Sequence, residues 1–431
     1  MNNSINIGLL GLGTVGSGVV HIIDQHQDKL KHQVGCSVTI SKILVNDLHK
    51  QRDVHLNGSR LTTDPDEILN DPDVHVVLEV MGGIEESRRY ILQALENKKH
   101  VVTANKDLVA VYGSELLQAA SRNKCDLFYE ASVAGGIPII RSLVDGLASD
   151  KITKMMGILN GTTNYILTKM TKEGRDYHEV LKEAQDLGYA ESDPTADVEG
   201  IDAARKTAIL GTLGFSMPIE LEDVNVAGIS NVTTEDLDYS HELGLTMKLI
   251  GIAERTGNKV EVSVQPTLFP HEHPLASVND EFNAVYVYGE AVGETMFFGP
   301  GAGKLPTATA VVSDLVEVMK NMRLGVNGNK VSEPQFEKQL KSDDEIFSKY
   351  FLRIHAKDQA GTFAALTSVF SENDVSLEKI LQRPVVGQEV AEIIVTTHQV
   401  SKQNYDGVIK ALAELDVVDH VKSSYRVEGG K

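Results

Sequence analysis

An apolar run, Ile5–Leu10, ends in Gly11-Leu12-Gly13-Thr14-Val15-Gly16, and Val15, Val19, Ile22 and Ile23 follow at helical spacing. A strand, a GxGxxG turn and a helix in that order restrict the fold more than any other feature of the chain. Gly11 permits a tight turn, Gly13 lets the backbone approach a pyrophosphate, and Gly16 lets helix and strand pack closely. The free N–H groups and positive dipole end of the helix then meet the diphosphate, which makes Gly11, Gly13, Thr14, Val15 and Gly16 candidate coenzyme contacts. The second strand runs into Asn46-Asp47, followed by Lys50 and Arg52. An acid there favours NAD and cations favour NADP, so the spacing leaves NADP or NAD open.

Beyond the glycine turn, short apolar runs (Val38–Val45, Val74–Val80, His100–Thr103, Asp126–Tyr129) alternate with helical segments (Val15–Leu30, Glu86–Leu95, Ser114–Arg122). That alternation predicts an α/β fold: a Rossmann-type parallel sheet over residues 1–135, completed by a helix at about 307–322. Residues 136–306 mix helices with alternating strands and read as an α+β domain. The polar stretch 323–348 reads as a linker. Residues 349–431 follow the order β-α-β-β-α-β, a ferredoxin-like unit.

With 42% hydrophobic and 24% charged residues, the 431-residue chain can bury several cores. Its net charge of −20 argues against a nucleic-acid partner, because phosphate backbones are held by clustered Lys and Arg. Two cysteines without a CxxC exclude a disulfide scaffold and suit a reducing compartment. No apolar stretch reaches membrane-span length, and the N-terminus lacks a basic, apolar leader pattern. The expectation is a cytoplasmic protein with no membrane partner.

Three clusters carry possible chemistry. Thr103-Ala104-Asn105-Lys106 sits at the carboxyl end of a strand, where open α/β sheets bind ligands. Glu130 precedes the irregular run Ala131–Pro138, and one carboxylate with converging carbonyls suits a hard monovalent cation. In Gly188–Lys206, four carboxylates (Glu191, Asp193, Asp197 and Glu199) precede a helix that carries Asp202 and Lys206 on one face. The blander readings are a solvated lysine, a turn feeding a helix and a surface ion pair.

Taken together, GLGTVGSGV at the start, TANKDLVA at Thr103–Ala110, EASVAGGIPII at Glu130–Ile140 and GILNGTTNYIL at Gly157–Leu167 resemble the homoserine dehydrogenase family. So do GYAESDPTADVEGIDAARK at Gly188–Lys206 and GPGAGKLPTATAVVSDL at Gly299–Leu315. The C-terminal unit is similar to an ACT domain, with Asp358-Gln359-Ala360-Gly361 in its first turn.

The resemblance implies reversible NAD(P)-dependent oxidation of L-homoserine to L-aspartate 4-semialdehyde, on the route to threonine and methionine. It adds substrate binding and dimerisation to the α+β domain of residues 136–306. It assigns Lys206 as proton donor and acceptor, and Lys106 as a second active-site lysine near nicotinamide and substrate. Glu191, Asp197, Asp202 and Thr162 match substrate-pocket positions, while Thr103, Gly188 and Gly303 match coenzyme positions. Glu130, Val133, Gly135 and Ile137 match a sodium-type cation site. Many relatives carry Arg where Asn46 stands. The ACT-like unit implies threonine feedback and a homo-oligomer, dimer or tetramer. A lysine of ordinary pKa near 10.4 is a poor base; burial and Lys106 would lower it, and Asp202 would oppose that. Alternatives are a non-catalytic nucleotide and amino-acid sensor, or another amino-aldehyde reductase.

Overall fold

The computed structural model describes residues 4–52, 54–329, 334–385 and 389–429. They form two compact units, one of Met1–Met155, Arg205–Asp223 and Asn283–Glu337, the other of Met156–Ala204, Val224–Phe282 and Lys338–Lys431.

The first unit is built on six strands: β1 (Ser4–Leu10), β2 (Ser37–Leu44), β3 (Arg60–Thr62), β4 (Val76–Glu79), β5 (His100–Thr103) and β6 (Leu127–Phe128). They lie in the order β3-β2-β1-β4-β5-β6, and every pair is parallel. This is the doubly wound dinucleotide-binding order, whose strands are apolar because both faces are covered. One face is covered by the helices Thr14–Gln25 and Lys304–Leu324, which bury Val19, Ile23, Val311, Leu315 and Met319 against Ile7, Leu9 and Leu78. Gly18 makes their close approach possible: a Cβ there would lie 2.4 Å from the Lys304 carbonyl. The expected helix Val15–Leu30 is two helices, Thr14–Gln25 and Gln27–Val34, hinged at His26. The polar run Gln25–Asp28 has no apolar residue to hold a continuous stripe, so the chain turns and buries Leu30 and Val34.

In the second unit, Leu245–Thr256 and Lys259–Pro270 form an antiparallel hairpin in unbroken register from Lys259↔Thr256 to Pro270↔Leu245. The sheet continues through Val418–Val427, Phe347–Lys357, Val390–Thr397 and Leu377–Pro384. With the helices Thr362–Glu372 and Lys402–Ala413, those last four strands complete the β-α-β-β-α-β unit around Leu352, Ile354, Phe370, Ile393 and Leu412. The stretch 323–348 is not all linker. The helix Lys304–Leu324 ends at Gly325, whose φ is 69°, and Gln339–Leu340 pairs with Lys259–Val260. Residues 330–333 of that stretch lie outside the described residues.

Candidate active site

The glycine turn has the geometry that its spacing predicts. Gly11 has φ of 100°, and a Cβ on it would fall 2.9 Å from the Met81 Cα; one on Gly16 would fall 2.2 Å from the Gly11 carbonyl. Around Gly13 nothing lies within 4 Å of a Cβ position. Gly13 caps the helix Thr14–Gln25 without a side-chain bond, and no acid stands in the first turn. Gly13 and Thr14 are exposed, Val15 half-buried. The N–H groups at this helix start therefore face open space, as an anion site requires. Beyond β2, the Asp47 carboxylate accepts the His49 N–H at 2.7 Å, and the Arg52 guanidinium donates to the Asp47 and Lys50 carbonyls at 2.6 and 2.8 Å.

At the ends of β4 and β5 lies a network that motif reading missed. Glu79 is fully buried and accepts the Thr103 hydroxyl at 2.6 Å, the Ser87 hydroxyl at 3.2 Å and the N–H groups of Met81 and Gly82 at 2.9 and 3.3 Å. Burial pushes its carboxyl above the usual range, and these four donors hold it back. The Thr103 hydroxyl also accepts the Asn105 N–H at 3.0 Å, so this side chain is committed to the loop. Asn105 caps the helix Lys106–Asn123 by accepting the Leu108 N–H, and its amide donates to the Gly83 carbonyl at 2.6 Å. Lys106 is thus the first residue of a firmly capped helix, half-buried. Its neighbour Asp107 forms an ion pair with Arg205 at 3.0 Å, which ties the segment carrying Lys106 to the one carrying Lys206.

Glu130 is buried, and its carboxylate accepts the N–H groups of Ile140 and Arg141, both at 2.8 Å. Its own N–H donates to Asp314 at 2.8 Å, and Asp314 pairs with Arg141 at 2.8 Å. Between these anchors, Val133, Gly135 and Ile137 are buried, and Ala134 and Gly135 take successive left-handed conformations with φ of 55° and 48°. A Cβ at Gly135 would fall 2.3 Å from the Gly301 carbonyl, so only glycine fits.

Burial pushes Asp314 up to about 7, against the pull of the Glu130 N–H and of Arg141. The folded state therefore holds a proton that the unfolded chain, titrating near 4, has released, and stability falls as pH rises from about 4 to about 7. Asp314→Asn is expected to flatten this dependence in urea unfolding at several pH values. An unchanged slope would remove Asp314 as its source.

The second unit supplies an acidic cluster. One side-chain amide, that of Asn160, donates to both Asp197 (2.7 Å) and Asp202 (2.9 Å). The same Asn160 caps the helix Gly161–Glu173 by accepting the Thr163 N–H at 2.8 Å. Thr162, in its first turn, donates its hydroxyl to the Tyr189 carbonyl at 2.6 Å and so fixes the chain next to Gly188, whose φ is 78°. Glu191 stands in the exposed stretch that follows, where its carbonyl accepts the Gln185 amide at 3.1 Å. Asp202 and Lys206 lie one turn apart on the helix Ile201–Phe215, only 2% and 9% exposed. Gly303, with φ of 122°, opens the helix Lys304–Leu324. Of the proposed substrate acids, Asp197 and Asp202 are thus joined through Asn160, a residue that motif reading passed over as part of a word.

A dinucleotide sheet with an open glycine turn, and a helix with a buried carboxylate one turn before a buried lysine, define a nicotinamide-dependent oxidoreductase. Family models agree: "Homoserine dehydrogenase, NAD binding domain" matches residues 11–130, "Homoserine dehydrogenase" 138–316 and "ACT domain" 350–417. A homoserine dehydrogenase of Bacillus subtilis is 65% identical over 99% of both chains, and one of Mycobacterium tuberculosis is 43% identical over 99% of this chain and 98% of its own. The crystal structure of a homoserine dehydrogenase from Thiobacillus denitrificans superposes with a TM-score of 0.93 at 39% identity, covering 99% of this chain and 98% of that one. The chain belongs to the homoserine dehydrogenase family.

Proposed function

We propose that this chain interconverts L-homoserine and L-aspartate 4-semialdehyde with Lys206 as the proton donor and acceptor. The observation that carries this reading is the Asn160 clamp on Asp197 and Asp202, which fixes an anionic cluster one helical turn before the buried Lys206. Bound nicotinamide supplies the hydride acceptor or donor. Asp197, Asp202 and Glu191 hold the substrate ammonium, and Thr162 keeps the segment at Tyr189 in place. Lys206 takes the proton from the C4 hydroxyl as hydride leaves C4, and returns it in the reverse direction. Lys106, at the start of its capped helix, is the second active-site lysine, near nicotinamide and substrate. Gly188 and Gly303 serve as the flexible backbone positions at the coenzyme. The assay is coenzyme reduction by L-homoserine; failure of a folded, coenzyme-binding protein to turn over would favour the sensor reading.

The Glu130–Ile137 segment fits a monovalent cation through its carbonyls. The Glu130 carboxylate accepts one backbone N–H on each oxygen, and with the carbonyls of the buried turn it suits a weakly charged, hard ion such as sodium. Replacing sodium and potassium by choline is expected to lower turnover and thermal stability together. No change in either would sink the assignment.

The ACT unit we assign to feedback by threonine, in a homo-oligomer that pairs these units. Its edge strand Leu377–Pro384 is largely exposed, as a pairing edge must be. Threonine is expected to inhibit the full-length enzyme and to shift its sedimentation. Undiminished activity at saturating threonine would contradict this. Two buried free cysteines suit a cytoplasmic setting, and no helix among the described residues is long and apolar enough to cross a membrane.

A further inference from the structure

In the second unit, a cavity of about 260 Å³ is lined by Thr168, Thr171, Lys172, His241, Thr246, Lys248, His271, Ala276 and Asn279. In a chain of net charge −20, this wall holds two lysines, two histidines and no carboxylate. Lys248 is 1% exposed. Its ammonium donates to the Val278 carbonyl at 2.5 Å and to the Asn164 side-chain oxygen at 3.1 Å, and an ammonium has three protons to give. The buried Thr171 hydroxyl has no hydrogen-bond partner among the described residues. The His241 and His271 rings lie 4.9 Å apart, and His271 Nε2 is 3.1 Å from the Leu245 carbonyl.

We propose that this cavity is a binding site for a small oxyanion, a phosphate or a compact carboxylate, held by Lys248, Lys172, Thr171 and the histidine pair. The volume is below that of drug-sized ligand pockets and has room for a small oxyanion together with its waters. Charge-assisted hydrogen bonds to an oxyanion would satisfy the third ammonium proton and the Thr171 hydroxyl at once. Burial, with Lys172 adding to it and Asp280 opposing it, pushes Lys248 down to about 7; an anion beside it reverses that trend. Binding is therefore coupled to proton uptake.

The site also has mechanical reach. His241 belongs to the helix Thr234–Glu242, whose Asp236, Tyr239 and Glu242 bond to Arg353, Glu392 and Arg383 on three strands of the ACT sheet. Thr168, Thr171 and Lys172 belong to the helix Gly161–Glu173, which Asn160 caps. An occupant braces both helices.

The test uses the full-length protein with inorganic phosphate, malonate and chloride as separate probes in calorimetry near pH 7.5. Phosphate or malonate is expected to bind more tightly than chloride, with proton uptake seen as a dependence on buffer ionisation enthalpy. The winner of the two identifies the source of the oxyanion. The peripheral double variant Lys172→Gln/His271→Gln is expected to lose roughly tenfold or more in affinity while keeping its basal turnover. Lys248→Met removes the central charge, and Thr171→Val gives a milder second test should Lys248→Met fail to fold. Equal binding by the double variant, or phosphate and malonate binding no better than chloride, would overturn the proposal.

Discussion

Lys206→Ala is expected to lower kcat for homoserine oxidation by roughly 10²- to 10⁴-fold, the range that general acid–base catalysis supplies, while KM changes little. In the proposed mechanism the labour is divided: Asp202 and Asp197, both bonded by Asn160, are assigned to the ammonium, and Lys206 to the hydroxyl proton alone. Removing Lys206 leaves the binding groups in place. Because Lys206 is 9% exposed, the truncation also opens a small cavity, so Lys206→Met, which keeps the volume, is the matched control. With either variant, chemistry becomes slow, and homoserine deuterated at C4 should show a larger isotope effect on kcat than with the unaltered enzyme. A variant that keeps kcat, or one that loses only affinity for homoserine, would assign Lys206 to binding or to structure.

The largest stability loss is expected at Asp236. Asp236 is fully buried and accepts the Ser423 hydroxyl at 2.5 Å and the Tyr425 hydroxyl at 2.8 Å. It also lies 3.2 Å from the Arg353 guanidinium and closes a capping box with Thr233 at the start of the helix Thr234–Glu242. Arg353 is itself buried, and Glu392 is a further anionic neighbour at 3.3 Å. Asp236→Ala strands most of a buried guanidinium and three donors, and removing one partner of such a pair costs about 3–5 kcal/mol. Urea unfolding should show that loss, and Asp236→Asn, whose single amide oxygen can still serve the cap and the Tyr425 hydroxyl, should recover part of it. A loss near that of an exposed ion pair would mean that water reaches Arg353 and that the helix is not locked to the ACT sheet.

The parallel sheet was legible because burial on both faces writes apolar runs into β1, β2, β4 and β5, with the glycine turn marking the first crossover. What stayed hidden is physical in each case. The helix Gly161–Glu173 has no apolar stripe, since its buried face includes Thr162, Thr163, Asn164 and Thr168. The strand Leu245–Thr256 is buried along most of its length, so the alternation that exposes half-buried strands is missing. Gln339–Leu340 is two residues long and polar in its surroundings, below what periodicity can detect.

The candidate site divides in the same way. Gly11, Gly13 and Gly16 announce themselves because backbone geometry demands glycine, and Asp202 and Lys206 because four residues make one turn. Asn160 does not, although it holds the acids, because a single amide has no spacing to read. Glu79 was hidden because its donors come from Thr103, Ser87 and the turn at Met81, which meet only when β4 and β5 pair. The two N–H groups that the Glu130 carboxylate accepts come from ten and eleven residues on, a contact that no spacing in the sequence announces.

The most direct measurement is a crystal structure of the enzyme with L-homoserine and an oxidised nicotinamide coenzyme. The account predicts Lys206 Nζ within about 2.6–3.2 Å of the C4 hydroxyl, and the substrate ammonium against Asp202 or its neighbouring acids. A hydroxyl that faces Lys106 or solvent instead, with Lys206 turned to the amino-acid end, would contradict it.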